Sequence, residues 1–220
     1  MLFRSLLRAW RSRKFLAEVL QDFDAMLGEV EQMFAAARRF HLEGAPAAPA
    51  QAELETRDER VNKLEASIRR RLVQHLAMDP ESETIASLVM FGAVKDAERI
   101  GDYCKNILEV GGLLGGPLPA SWLGHLRGLF GEVAGLFPRA RKAFLETAEA
   151  EGAEVVKDGA RIAGACEARL HALCRSDLPA NPAVCLALLL RHLKRVAAHL
   201  RHIAATAAQP VEELEPGEGR

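Results

Sequence analysis

Oxygen-bearing side chains recur at helical spacing in two segments of the first half of the sequence. Glu98 and Asp102 are four residues apart, so on a helix they stack one turn above the other. Two carboxylates placed in this way can reach one hard cation, which prefers oxygen ligands. If the two segments pack side by side, their rows could supply a multi-carboxylate metal site. The first row is Glu98, Asp102 and Asn106, and the second is Asp58, Asn62 and Glu65.

The same rows have an ordinary structural interpretation. Acidic helix faces are usually solvated surface, and a basic residue one turn away can neutralise each carboxylate. Lys95 is placed to pair with Glu98, and Arg99 is placed to pair with Asp102. From spacing alone, solvated surface is favoured over a metal site.

A third cluster of chemical groups is basic and lies near the end of the chain. Residues 191–202 hold Arg, Lys and His side chains at seven positions. A solvated basic helix with its apolar stripe in the core is the favoured interpretation. The alternative is a docking surface for an acidic partner segment or an anion. The residues assigned to that surface are Arg191, Lys194, Arg195 and His199.

Helices must position these groups, and the composition favours helices. About half of the residues are apolar but only 5% are aromatic, and the unbranched Ala and Leu that dominate lose little rotamer freedom in a helix. Glycine, proline and capping residues divide the chain into six helical segments. We expect them at about residues 2–43, 52–77, 83–110, 121–149, 154–174 and 181–208, all-α and without strands.

The connections between the segments predict two similar parts. Residues 45–50 are expected to form a linker, and the glycines and proline of residues 111–117 (Gly111, Gly112, Gly115, Gly116 and Pro117) are expected to end the third helix. Asn181 is expected to cap the last helix. Residues 1–113 and 118–209 then hold three helices each, and aligning Arg99 with Arg195 indicates an internal duplication. Residues 210–220 form an acidic tail.

The same features exclude several classes of protein. The formal net charge of −1 gives no global field for binding nucleic acid. The four cysteines show no CxxC spacing and are expected to be buried small hydrophobes in a reducing compartment. No apolar run approaches the roughly 20 residues of a membrane span, and no signal peptide is evident, so a cytoplasmic protein is expected. No catalytic constellation or Gly-rich phosphate loop is present, which predicts a non-enzymatic protein.

The first eleven residues alternate apolar and basic side chains in helical phase. This pattern is typical of helices that lie on anionic membrane surfaces. It also fits the first turns of a bundle helix that extends beyond its neighbours, and this second interpretation is favoured. Membrane-surface contact would place the protein peripherally at the inner face of the membrane.

The string DAERIGDYCKNI at residues 96–107 resembles the PhoU family, whose repeats carry D-x-E-R-I-x-D-x-x-x-N-I in their last helix. RDERVNKLE at residues 57–65 is similar to the family's middle-helix segment. The resemblance implies two tandem antiparallel three-helix bundles related by a pseudo-twofold axis. It also implies regulation of phosphate uptake and phosphate-starvation signalling, through a sensor histidine kinase and the phosphate ABC transporter. A second copy of the chain, forming a homodimer, is a further candidate partner.

The family's E-x-x-x-D motifs can hold iron, zinc or other cation clusters. Carried over, the resemblance assigns Glu98 and Asp102 to that motif and the other four oxygen-bearing residues to supporting positions. In the second half, Lys194 and Ala198 replace Glu and Asp, and His202 replaces Asn. A metal cluster is therefore expected in the first half only. This departure keeps an alternative open: an accessory subunit of another transporter, or a metal-binding helical bundle without a role in phosphate signalling.

Overall fold

The structure is a computed structural model that describes residues 14–78 and 84–208, with side chains described for residues 17–78 and 84–206. The basic N-terminal segment and the acidic tail lie outside these ranges. Every regular element within them is a helix, as the composition predicts. The helices are α1 Lys14–Glu43, α2 Ala47–Met78, α3 Thr84–Leu113, α4 Ala120–Glu146, α5 Glu149–Leu173 and α6 Ala180–Ala208.

The six helices form two three-helix bundles, α1–α3 and α4–α6, which confirms the expected fold class. Helix α2 packs on α1 and α3, and α5 packs on α4 and α6. The bundles meet through α3 against α6 and α1 against α4. The two acidic rows therefore lie on adjacent helices of the first bundle, and the basic cluster lies on a helix at the junction of the bundles.

Contacts between α3 and α6 follow a pseudo-twofold relation. The alignment of the two halves makes Asp96 equivalent to His192 and Tyr103 equivalent to His199. Asp96 Oδ1 lies 2.7 Å from His199 Nδ1, and the equivalent pair, Tyr103 and His192, has ring centroids 5.8 Å apart. Tyr103 also stacks on its own equivalent, His199, at 5.6 Å and 24°. These reciprocal contacts support the internal duplication and require α3 and α6 to run antiparallel.

Phenylalanines hold α1 against α4. The ring centroids of Phe23 and Phe144 lie 4.8 Å apart, and Phe34 lies 5.6 Å from Phe130 and 5.2 Å from Phe137. All five side chains are at most 3% exposed. Each such aromatic pair stabilises by about 0.5–1.5 kcal/mol beyond the burial of its area. The few aromatic residues are thus concentrated where the two bundles join.

Two of the predicted helix starts are wrong. Residues 47–50 belong to the first turn of α2, where the Ala50 N–H donates to the Pro46 carbonyl at 3.3 Å. Pro49 is tolerated there because the first turn of a helix does not need its missing N–H. Helix α5 begins at Glu149 rather than near Glu154, and its acidic first turn suits the positive end of the helix dipole.

Helix α3 ends within the predicted break at residues 111–117, but later than expected, because it continues through Gly111 and Gly112 to Leu113. A Cβ atom added to Gly111 would lie 1.9 Å from Phe40 Cε1, whereas one added to Gly112 would meet nothing within 4 Å. Gly111 therefore permits close approach of the Phe40 ring. The predicted end of α1 at Gly44 is supported by its left-handed φ of +71°, which glycine adopts without steric cost.

Asn181 does not act as the predicted N-cap, because it lies inside the first turn of α6. Its side-chain Nδ2 donates to the Leu113 carbonyl at 2.8 Å, and its Oδ1 accepts from the Gly115 N–H at 2.9 Å. The amide thus donates a hydrogen bond to a carbonyl at the end of α3, and it holds the connection between the bundles against α6.

The four cysteines are free, and three of them are buried as expected. Cys174, next to the C-terminal end of α5, is exposed, contrary to the prediction. Burial raises the pKa of the Cys166 thiol to about 11, and burial also raises that of Cys104. Both thiols are therefore protonated and unreactive at neutral pH.

Candidate functional site

The structure brings the two acidic rows together at one point. Lys105 Nζ lies 2.9 Å from Asp58 Oδ1 on α2 and 3.1 Å from Asp102 Oδ1 on α3. Burial alone would lower the pKa of the Lys105 ammonium, but its hydrogen bonds to both carboxylates raise it above the ordinary value. Asp58 and Asp102 can therefore share one cationic group, and that group is the ammonium of Lys105.

The other predicted ligands have their own partners. Glu98 Oε2 lies 2.6 Å from Lys95 Nζ, as the alternative interpretation predicts. Asn62 donates to Asp58 Oδ2 at 3.2 Å. The remaining placements are the ion pair of Glu65 with Arg69 at 2.9 Å, the ion pair of Asp102 with Arg99 at 3.5 Å, and the half-buried position of Asn106 on α3.

These contacts limit how well the six residues fit a metal cluster. Within the two described ranges, no three of the predicted carboxylates have ligand atoms within 4.8 Å of one another. Asp58 and Asp102 fit a single cation, which would have to take the place of the Lys105 ammonium. Recruiting Glu98 would also require it to leave Lys95. The rows therefore fit one small cation site better than a preformed cluster.

The basic residues of α6 line a cavity of about 70 Å³ on the surface of the second bundle. Arg191, Lys194, Arg195 and His199 line it together with Ala198, Arg201 and His202. Lys194 Nζ pairs with Glu167 Oε2 of α5 at 2.6 Å, so its charge is partly neutralised. Arg191 is exposed and can meet an acidic partner directly.

His199 differs from the other residues assigned to this surface, because its ring turns toward the first bundle and contacts Asp96. Burial would raise the pKa of the Asp96 carboxyl, but hydrogen bonds and charge from His199 and His202 lower it below its ordinary value. Asp96 thus joins the bundles electrostatically. Sequence reasoning missed this role, although Asp96 belongs to the quoted motif, because the residue points to a different helix face from Glu98.

A wider groove of about 460 Å³ lies beside the connection between the bundles. Phe40, His41, Gly111 and Leu114 contribute to its lining. His41 Nε2 lies 2.6 Å from the Ile107 carbonyl, and burial lowers its pKa below the ordinary value more than this contact raises it. The one titratable side chain of this lining thus already has a partner, and the groove offers no visible catalytic set.

The described part of the chain forms two three-helix bundles related by a pseudo-twofold axis, with acidic rows on α2 and α3. These features define its structural class. Comparison with known families matches residues 23–110 to the PhoU domain. The matched range runs from within α1 to within α3 and includes both quoted motifs. The match confirms the resemblance found in the sequence of this part of the chain.

Solved structures extend the likeness to both bundles. PhoU from Pseudomonas aeruginosa superposes with a TM-score of 0.76 at 22% identity, over 88% of this chain and 95% of that one. The phosphate transport system regulatory protein PhoU from Streptococcus pneumoniae superposes with a TM-score of 0.77 at 16% identity, over 91% and 97%. At these identities the likeness establishes the fold alone. No curated protein sequence matches the chain.

Within the described ranges, no helix is long and apolar enough to cross a membrane.

Proposed function

We propose that this protein regulates phosphate uptake and phosphate-starvation signalling, without catalysis, by binding other proteins. The observation that carries the proposal is the PhoU-domain match over residues 23–110. The shared fold of the second bundle supports it, since one of the similar structures is a phosphate transport system regulatory protein. A fold alone would be weak support, but the motifs of α2 and α3 both lie within the matched range.

The proposed partners are a sensor histidine kinase and a phosphate ABC transporter, reached from the cytoplasm at the inner face of the membrane. The surface assigned to them is the basic face of α6, where Arg191 is exposed. An acidic segment of a partner would be steered to this face, and such steering raises association rates more than affinity. Arg191 and Lys194 are the contacts expected to matter for the rate.

Affinity capture tests this proposal. The tagged chain is recovered from phosphate-rich and phosphate-starved cells, and its membrane partners are identified by mass spectrometry. We expect phosphate-dependent recovery of a sensor kinase or a phosphate ABC transporter. Arg191→Glu should reduce recovery, whereas Arg127→Glu on the exposed face of α4 should not. Recovery of neither partner class from wild-type chain would refute the proposal.

We also propose that Asp58 and Asp102 hold an iron or zinc ion in the first bundle, in place of the Lys105 ammonium. Their shared contact with a cationic group supports this role. Glu98→Ala combined with Asp102→Ala should lower bound metal with little loss of helix content. Lys105→Met should raise metal affinity, because it removes the competing charge. Unchanged metal stoichiometry in both variants would contradict the proposal.

A second candidate function is an accessory subunit of a different transporter, or a metal-binding bundle unconnected to phosphate signalling. It is favoured by the replacement of the acidic motif in α6 with Lys194, Ala198 and His202. Capture of an unrelated transporter, independent of phosphate, would support it. A cotransporter gene beside this one, rather than phosphate-transport genes, would point the same way.

A further inference from the structure

Three side chains with metal-binding chemistry converge where the two bundles meet. Asp96 comes from α3, and His199 and His202 come from α6. Each offers a ligand atom, and these atoms all lie within 4.8 Å of one another. In the described part of the chain this is the single group of three His, Cys, Asp or Glu side chains with that spacing. None of the three belongs to the acidic rows.

We propose that Asp96, His199 and His202 bind one divalent first-row transition-metal ion. Two imidazole nitrogens and one carboxylate oxygen suit zinc, iron, nickel or copper better than magnesium or calcium, which take oxygen ligands. Three protein ligands leave at least one coordination position for water. The site is separate from Asp58 and Asp102, both in its residues and in its donor chemistry.

The distances are close to those of a metal site. With metal–ligand distances of about 2.0–2.2 Å, ligand atoms in a tetrahedral zinc site lie roughly 3.4 Å apart. His202 Nδ1 lies 3.7 Å from Asp96 Oδ1. His199 Nδ1 lies 2.7 Å from the same oxygen, at hydrogen-bond distance. Entry of an ion therefore requires this contact to open by less than about 1 Å, and the two imidazole nitrogens, which lie within 4.8 Å of each other, to approach by up to about 1.4 Å.

Packing holds the ligands in place. The side chains of Asp96, His199 and His202 retain only 15–21% of their exposure, so little of their hydration must be lost on binding. Tyr103 stacks on the His199 ring, and the His202 ring meets that of His199 edge-on at 5.9 Å. Ligands fixed in this way lose little conformational entropy when an ion binds.

Nearby positive charges set the selectivity of the site. Arg191, Lys194, Arg195 and Arg201 line the cavity that the two imidazoles also line, and they oppose a cation by Coulomb repulsion. Glu167 offsets part of this charge through Lys194. An ion held mainly by charge would be disfavoured here. An ion that forms strong bonds to neutral imidazole would not be disfavoured in this way. The surrounding charge therefore also selects transition metals over magnesium and calcium.

The site also spans the junction of the bundles. In the structure, the Asp96–His199 hydrogen bond crosses this junction. With metal, one ion would join α3 to α6 through three ligand bonds. A ligand that binds only the folded chain stabilises it, so metal should raise the melting temperature by an amount that grows with the logarithm of its affinity.

Cobalt(II) titration of the full chain tests the proposal, because cobalt(II) bound by nitrogen and oxygen ligands has visible d–d absorption. The titration is made in the Glu98→Ala/Asp102→Ala background to remove the carboxylates of the α3 row, and zinc(II) competition measures zinc affinity. We expect one cobalt ion per chain, displaced by zinc, with a raised melting temperature. His202→Asn should weaken binding by at least about 10–100-fold, the loss known for residues that merely support metal ligands.

His171→Asn, on the exposed surface of α5, is the matched control and should bind as the parent does. Asp96→Asn keeps the shape of the carboxylate and gives a second loss variant if His202→Asn does not fold, as judged by circular dichroism. Absence of cobalt absorption in the parent would overturn the proposal. Equal affinity and equal spectra in the parent, His202→Asn and Asp96→Asn would do so as well.

Discussion

Gly111 and Gly112 allow a test of how α3 ends. In the structure both residues are helical, and they differ in one respect: a Cβ at Gly111 would overlap Phe40, whereas a Cβ at Gly112 would be free. Replacing either glycine with alanine removes backbone freedom from the unfolded chain and favours the helix by up to about 1 kcal/mol. That gain is common to both variants. The difference in the free energy of unfolding between the two variants therefore isolates the steric cost of the contact with Phe40.

The cost follows from the distances. At 1.9 Å from Cε1 and 2.5 Å from Cζ, the Phe40 ring must leave its position. Overpacking of this kind costs about 1–3 kcal/mol. Phe40 is only half-buried and borders the groove, so its ring can swing outward and the lower part of that range is expected. Gly112→Ala should stabilise the protein, and Gly111→Ala should destabilise it relative to Gly112→Ala by about 1–2 kcal/mol.

Urea denaturation of both variants measures the difference, and a melting-temperature difference of about 2–8 °C should accompany it at this chain length. In a Phe40→Ala background the obstacle is gone, and Gly111→Ala should become as stabilising as Gly112→Ala. If both alanines destabilise the protein, even without the Phe40 ring, the two glycines have the left-handed backbone of a helix break. The reasoning from the structure would then be refuted.

Three further substitutions test the helix faces, the bundle junction and the pH dependence. Ile100→Asp places a charge at a fully buried position of α3 and should cost about 4 kcal/mol or more; an unchanged melting temperature would mean that the helical phase is wrong. Asp24→Asn breaks the two hydrogen bonds to Arg141 of α4. A double-mutant cycle of Asp24 and Arg141, measured in urea, should give a coupling free energy of about 0.5–1 kcal/mol, because both groups are half-exposed. Zero coupling would mean that the pair has no role in joining the bundles. Burial keeps the pKa of His41 below its ordinary 6.5, so the unfolded chain takes up the proton first as the pH falls. The stability of the folded chain is therefore full above about pH 6.5 and decreases below it. His41→Gln should flatten this decrease in a series of urea midpoints, and an unchanged slope would contradict the assignment.

The helices of the described ranges and their buried faces could be predicted because they depend on local pattern. Val61, Ile100 and Ile107 fall on apolar faces by spacing alone, and all three are fully or almost fully buried. The pairing of Glu98 with Lys95 was likewise readable, since the two residues lie one turn apart on one helix. Such features need only the helical period and the charge of neighbouring residues.

What could not be predicted depends on contacts between distant parts of the chain. Gly111 looks like a helix breaker until Phe40 is known to lie against it, and nothing near Asn181 indicates that its amide binds Leu113 and Gly115. The pairing of Asp96 with His199 spans 103 residues. A single sequence carries no signal for contacts of that kind, because helix packing sets them rather than local spacing.

The two candidate cation sites follow from how the two halves differ at aligned positions. Equivalent positions facing the core remain apolar, as Ile100 and Val196 do, and both are buried. On the outer face the sign of the charge differs between equivalent positions, since Lys194 stands where Glu98 stands in the first half. Of the two aligned rows, the first-half row alone keeps its carboxylates, so the oxygen-only site is expected between α2 and α3. Among the described residues, nitrogen and oxygen ligands come together where α6 meets α3, and Asp96 and Glu98 supply carboxylates to different faces of α3. Because no ligand is shared, removing the acidic pair should leave cobalt binding at the junction intact, and removing His202 should leave any metal on the acidic rows in place.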